Sequence, residues 1–215
     1  EIGVRLVGSE MCIRDSSQRV SVANGLDAER LLAQWKEIDA INAARDDNFL
    51  ILKGIECDIL ESGPMDLPDE VLAQADWVIA SVHFGQKQPR QQITDRITNA
   101  LENPHVDIIA HPTGRLINRR EAYEVDIEAV FQAAKENGKL LELNANPVRL
   151  DLHDVHCAMA RERGIPIVIN SDAHKISGLD VLPYGIKQAR RGGLTAAHVA
   201  NTLSWPELQK LLSNS

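Results

Sequence analysis

The chain has 215 residues, 31 of them acidic and 23 basic, for a net charge of −8. That length suits one domain with a full core. The acidic balance argues against gripping nucleic acid by charge alone, although bound metal would still admit a phosphate substrate. No apolar run approaches the roughly 20 residues of a membrane span, and no secretory pattern is present, so a cytoplasmic protein with no membrane partner is expected.

The stretch Glu1–Ser16 has no clean helical or strand period, no cap and no histidine. It resembles translated adapter readthrough and is set apart from the fold as an anomalous, non-native segment, with the domain running over 17–215. Asp27 is placed to cap a helix to about Arg45, striped by Leu31, Leu32, Trp35, Ile38 and Ile41. A strand over Phe49–Glu56 follows. Asp66 then precedes Leu67 and Pro68, which predicts a proline in a helical first turn. The next strand is Trp77–His83, and Ile93, Ile97, Ala100 and Leu101 stripe the helix after it. Val106–His111 is a third strand. Asp126 caps a helix from Ile127 to Asn137, stopped by Gly138. Leu140–Asn146 is a fourth strand, and Asp151 is read as the cap of a helix over Leu152–Arg163 that Gly164 stops. Ile165–His174 is a fifth strand, and a sixth is sought near Leu182–Ile186. Thr195 opens a short helix, and Ser204 to Glu207 is a capping box with Pro206 inside it. Alternating strands and helices define an α/β fold.

The three cysteines, Cys12, Cys57 and Cys157, show no Cys-x-x-Cys spacing. An odd, low count argues against a disulfide framework. Cys57 reads as a small buried filler. Lys187, Arg190 and Arg191 read as a solvated surface.

The five strands share a feature: each ends in or near a metal-competent side chain. In a barrel of parallel strands the C-terminal ends converge on one rim, where active sites sit. Glu56, His83, His111, Asp172 and His174 would meet there. Carboxylate and imidazole together suit divalent Mn, Zn or Fe. A glutamate such as Glu56 can bridge two ions about 3.5–4 Å apart, an arrangement suited to hydrolysing phosphate esters. Asp172 and His174 stand two apart, so in extended chain they point the same way. Glu142, Asn144 and Asn146 share a strand face by the same period. Glu142 and Asn144 are assigned to supporting the ligands rather than binding metal. Arg115, four residues past His111, is assigned to a substrate phosphate.

At these residues the chain resembles the polymerase and histidinol phosphatase (PHP) family, within it most nearly the C-terminal PHP domain of bacterial X-family DNA polymerases. The motifs are Gly54-Ile-Glu56, Met65-Asp-Leu-Pro-Asp-Glu70, Ala80-Ser-Val-His83, Glu102-Asn-Pro-His-Val-Asp107, His111-Pro-Thr-Gly-Arg115, Leu143-Asn-Ala-Asn-Pro147 and Ser171-Asp-Ala-His174. Val22-Ala-Asn-Gly-Leu26, Tyr184-Gly and Ala189-Arg-Arg-Gly192 match as well. The resemblance implies a distorted seven-stranded barrel holding up to three ions, commonly Mn or Zn. By motif, Glu56, His83, His111, Asp172 and His174 are its metal ligands, and Glu56 and Asp172 serve catalysis. It implies 3′–5′ exonuclease or related phosphoesterase activity on DNA ends, or hydrolysis of small phosphate esters such as histidinol phosphate.

The family pattern also opens with a strand ending in His-x-His, and a second strand ends in Asp-His. Here Asp15-Ser16 stands at the second place. The expectation is therefore a barrel lacking its first strand–helix unit and the polymerase domains of a parent protein, with fewer ions and impaired activity. A non-catalytic module that binds DNA ends or a polymerase domain is the alternative, as is a stand-alone small-molecule phosphatase.

Overall fold

The computed structural model describes residues 10–19, 25–47 and 49–213, with only the backbone at 10–14. Six parallel strands lie side by side in chain order and curl into a half-barrel. They are β1 (Glu10–Ser16), β2 (Leu50–Asp58), β3 (Trp77–Ser81), β4 (Ile108–Ile109), β5 (Leu140–Asn144) and β6 (Ile167–Asn170). The helices between and after them are α1 (Ala28–Ala44), α2 (Asp69–Leu72), α3 (Arg90–Glu102), α4 (Ile127–Glu136), α5 (Asp154–Arg163), α6 (Leu182–Arg191) and α7 (Trp205–Leu212). No helix of the described residues is long and apolar enough to cross a membrane.

All five expected strands are present, but the sixth is not where the sequence suggested. Leu182–Ile186 opens α6, with Pro183 in its first turn and Ile186 and Ala189 buried three positions apart. The sixth strand is β1, inside the stretch set apart as lacking a regular element. It pairs with β2 from Glu10 beside Leu50 to Ser16 beside Glu56. A parallel ladder is built from backbone groups, so an irregular side-chain pattern does not prevent it. Residues 1–9 and 20–24, including most of the Val22–Leu26 match, lie outside the described residues.

Alternation along the strands separates two cores. One face carries Ile55, Cys57, Val78, Ala80, Ile109 and Leu141 into the main core, which helices cover with Leu31, Trp35, Ile97, Phe131 and Ile186. The other face carries Trp77, Ile79, Ile108, Leu140 and Val168, and Leu208 of α7 closes over it. The register sets Glu56 beside Ile79 and Glu142 beside Val168. The α7-covered face is thus apolar near the strand starts and polar toward the strand ends. The free edge of β6 is covered where Asn201 exchanges hydrogen bonds with the Ile169 amide (3.1 Å) and carbonyl (2.9 Å), which blocks further pairing there.

Most caps fall where expected. Asp27 accepts from the Arg30 amide and Asp126 from the Ala129 amide. Ser204 and Glu207 form their reciprocal box, and Gly164 ends α5 in the left-handed conformation at φ 72°. Two differ. The short α2 has Pro68 at its cap position, while Asp66 accepts from the Arg19 amide instead. Helix α5 is capped by His153, whose Nδ1 accepts from the His156 amide at 3.3 Å. Asp151, the expected cap, is fully buried and accepts from the Thr113 amide at 3.0 Å.

Asp107, just before β4, accepts from the Val78 amide at 2.7 Å. Burial pushes its carboxyl up to about 6, against the opposing pull of that amide, Lys139 and His105. The folded state therefore holds this proton more tightly than the unfolded chain. Its contribution is present below pH ~4 and lost as pH rises through ~6, about 3 kcal/mol in all. Urea unfolding of Asp107→Asn and wild type at pH 4.5 and 6.5 checks this. The gap between them should shift in the variant's favour at the higher pH; an unchanged gap contradicts the assignment.

Candidate metal centre

Strand β2 delivers Glu56, β3 leads into His83, and β4 leads into His111. Each offers a ligand atom, and these atoms lie within 4.8 Å of one another. Glu56 Oε1 stands 3.2 Å from His111 Nε2 and 3.6 Å from His83 Nε2. Glu56 is 5% exposed and His111 2%. A carboxylate and two imidazoles buried this closely form a mixed O/N donor set, which fits Mn, Zn or Fe.

Each histidine is held from behind. The His83 amide donates to Asp58 Oδ1 at 2.9 Å. Its Nδ1 faces Ser81 Oγ at 3.0 Å and Asp58 Oδ1 at 3.3 Å, which turns Nε2 toward Glu56. The His111 amide donates to Glu142 Oε2 at 2.6 Å. Glu142 is fully buried, and its Oε1 accepts from Asn170 Nδ2 at 3.1 Å. Burial alone would drive the His111 ring toward neutrality. The Glu56 hydrogen bond and the charges of Glu56 and Glu142 outweigh burial and the Arg149 charge, holding its pKa above the ordinary value. A carboxylate at the far nitrogen of a ligating histidine, as Asp58 is for His83, fixes the ring's orientation, whereas Glu142 holds His111 by its backbone amide.

The remaining expected residues lie at the same strand ends in different settings. Asp172 follows β6 in a left-handed conformation at φ 53°. Its Oδ2 accepts from Asn144 Nδ2 at 3.0 Å and stands 3.6 Å from Arg149 Nε. His174 is exposed, and its Nδ1 lies 3.0 Å from the Asp172 carbonyl. His111 is also left-handed, at φ 29°. Non-glycine residues in that region carry strain, and such strain gathers at functional sites. Among the described residues, the group able to hold a metal comprises Glu56, His83 and His111.

Arg115, assigned to a substrate phosphate, is held by two backbone carbonyls. Its Nε donates to the Arg149 carbonyl at 2.9 Å, and its Nη2 donates to the Leu150 carbonyl. It ties the loop after His111 to the loop after Asn146. Arg115→Ala should therefore cost about 2 kcal/mol, a fall of roughly 4–8 °C in Tm. It should also reduce DNA and aryl phosphate hydrolysis alike. A loss confined to DNA would restore the substrate role.

Three residues near the site were missed. Asp58 was legible, since it stands two positions after Glu56 and shares its strand face. Arg149 and Asp151 lie in a loop and gave no periodic signal.

Fold and site together define an α/β protein whose curled parallel sheet presents a metal-competent rim. The chain is similar to "DNA polymerase/3'-5' exonuclease PolX" of Bacillus subtilis (strain 168), 50% identical over 205 residues that cover 95% of this chain and 36% of that protein. It is 37% identical to a "Probable phosphatase" of Thermoanaerobacter sp. (strain X514) over 162 residues, 71% of this chain and 64% of that one. A "Probable phosphatase" of Acetivibrio thermocellus is 41% identical over 132 residues, 58% of this chain and 52% of its own. The chain thus spans about a third of the Bacillus protein's length (36%) and less than two thirds of the two phosphatases (64% and 52%). A chain in the cryo-EM structure of archaeal ribonuclease P with mature tRNA shares the fold at TM-score 0.55 and 14% identity, covering 96% of this chain and 84% of that one. No family model matches.

Proposed function

We propose that this chain is a metal-dependent phosphoesterase region of PHP type, with Glu56, His83 and His111 at the heart of its metal centre. The convergence of their ligand atoms within 4.8 Å carries the reading, and the exonuclease and phosphatase names of its relatives support it. Mn or Zn suits the donor set, with Asp172 and His174 as further ligands. Divalent ions held there would supply Lewis-acid activation of a phosphate ester.

The chain's own residues hold and orient. Glu56 and Asp172 are the carboxylates assigned to catalysis. Asp58 and Glu142 fix the two histidines, and Asn144 fixes the Asp172 carboxylate. Arg149 sets a positive charge beside Asp172, where an anionic substrate needs one.

DNA 3′ ends are the favoured substrate, because the similarity to the Bacillus protein runs through 95% of this chain. Its natural partners would then include polymerase domains of a longer cytoplasmic protein. The phosphatase relatives favour small phosphate esters as the second reading.

Impaired turnover, down to a non-catalytic DNA-end module, is favoured by one observation. Ser16 stands in register with Glu56, where the family pattern has a histidine.

The test is metal content by elemental analysis, with hydrolysis of a 3′-labelled single-stranded oligonucleotide and of p-nitrophenyl phosphate in Mn or Zn. Metal binding with chelator-sensitive hydrolysis supports the enzyme, and metal binding without it supports the module. A chain that binds neither metal overturns the proposal.

A further inference from the structure

Three of the seven exposed large hydrophobic side chains among the described residues fall within nine positions. They are Ile176 (88% exposed), Leu179 (45%) and Tyr184 (49%). Scattered singly, such residues are ordinary. Gathered in the segment that directly follows Asp172 and His174, they mark a surface built to meet something.

This segment is anchored to the metal rim at two points. Ile176–Val181 forms a 3-10 helix that leads into α6. Gly178 within it packs on Ala173, the neighbour of Asp172, so closely that a methyl group on the glycine would stand 3.0 Å from the alanine Cβ. In the first turns of α6, a methyl group on Gly185 would stand 2.7 Å from both Ala145 Cβ and Ile169 Cγ2. Ala145 follows Asn144, whose Nδ2 donates to the Asp172 carboxylate at 3.0 Å. Ile186 and Ala189 are buried, while Tyr184 and Lys187 are exposed. Tyr184 is one residue from the close approach of Gly185 to the ends of β5 and β6.

The same segment is basic. Lys175, Lys187, Arg190 and Arg191 stand against one acid, Asp180, over positions 173–191 of a chain whose net charge is −8. Arg191 is paired with Asp154 at 3.0 Å. Lys187 lies three positions after Tyr184 on the helix surface, and its Nζ is 5.8 Å from the centre of the tyrosine ring. An exposed aromatic ring beside a cation is the pairing that takes a nucleobase on the ring and a neighbouring phosphate on the charge.

We propose that Tyr184 is a stacking platform for an unpaired nucleobase of a single-stranded DNA end, with Lys187 taking an adjoining phosphate. Nucleic acid is the occupant, rather than a protein surface, because the exposed apolar side chains are set among cations on an otherwise acidic chain. The inference deepens the phosphoesterase reading and rests on it for the substrate: the platform holds the strand whose end lies at the metal centre. Tyr184 determines specificity and touches no reacting atom. Stacking is tolerant of base identity, since every base has a π-face, so the platform selects for an unpaired base and not for a sequence.

The test is fluorescence anisotropy of labelled single-stranded oligo-dT in chelator, where neither metal nor hydrolysis contributes. The first comparison needs no variant. Wild type should bind oligo-dT more tightly than an abasic oligonucleotide of the same length. Tyr184→Ala should weaken oligo-dT binding about 5- to 150-fold, the range for losing one base–aromatic stack, and should erase the preference over the abasic strand. Tyr184→Phe keeps the ring and should keep both. Lys187→Gln should reduce the slope of log K against log salt by about 0.7, the loss of one phosphate contact on a single strand. A wild type that binds no oligonucleotide, or binds both strands equally, overturns the platform. An undiminished preference in Tyr184→Ala overturns it too and assigns the patch to a protein contact. The chelator keeps this separate from the metal centre. A base preference that depends on Tyr184, in a chain that binds neither Mn nor Zn, refutes the centre and leaves the platform standing.

Discussion

Glu56→Gln is expected to remove metal binding and hydrolysis together. The substitution keeps the shape of the side chain and discards its charge. Glu56 Oε1 stands 3.2 Å from one imidazole and 3.6 Å from the other, and Glu56 is the carboxylate of the group able to hold a metal. Disturbing a group behind a metal ligand typically weakens binding 10- to 100-fold. Losing a charged donor should therefore cost at least about 100-fold, or roughly 2.7 kcal/mol. Zn titration and elemental analysis read the affinity. Chelator should abolish wild-type hydrolysis and leave the variant's residual rate unchanged. Wild-type metal content in Glu56→Gln would place the centre elsewhere on the rim.

The part of this architecture that could be read in advance is the part that repeats. Strand-length apolar runs spaced by amphipathic helices gave the parallel α/β order, and their terminal residues gave Glu56, His83 and His111. Those positions follow from where the strands end. What resisted reading depends on contacts between distant segments. Asp151 has the local look of a helix cap, but the Thr113 amide, 38 residues away, claims its carboxylate. Arg115 also binds carbonyls of the Arg149–Leu150 loop, a contact no local pattern shows. Leu182–Ile186 was ambiguous because a short apolar run fits a strand or a buried helix face equally well. The β1 segment lacked a pattern because its pairing with β2 rests on backbone bonds. Asp58 alone was overlooked despite a readable cue.

Ser16→His is expected to have the opposite effect to Glu56→Gln. In-register neighbours on parallel strands point to the same face, and Ser16 is the neighbour of Glu56. An imidazole there would enter the centre from the side of β1 and add a nitrogen donor. Asp15 supplies the control. Its carboxylate accepts from Gln34 of α1 at 2.5 Å, which places it on the opposite face, as strand alternation requires. Ser16→His should tighten metal binding by something on the order of 10- to 100-fold, mirroring the loss caused when a ligand is disturbed. Hydrolysis at limiting metal should rise with occupancy. Asp15→His should give neither gain, and should lower Tm by breaking the Gln34 contact. Both variants would be compared by Zn titration, elemental analysis and p-nitrophenyl phosphate turnover under identical metal. If Ser16→His binds metal no better than wild type, or if Asp15→His gains as much, then β1 does not present its end to the centre through Ser16.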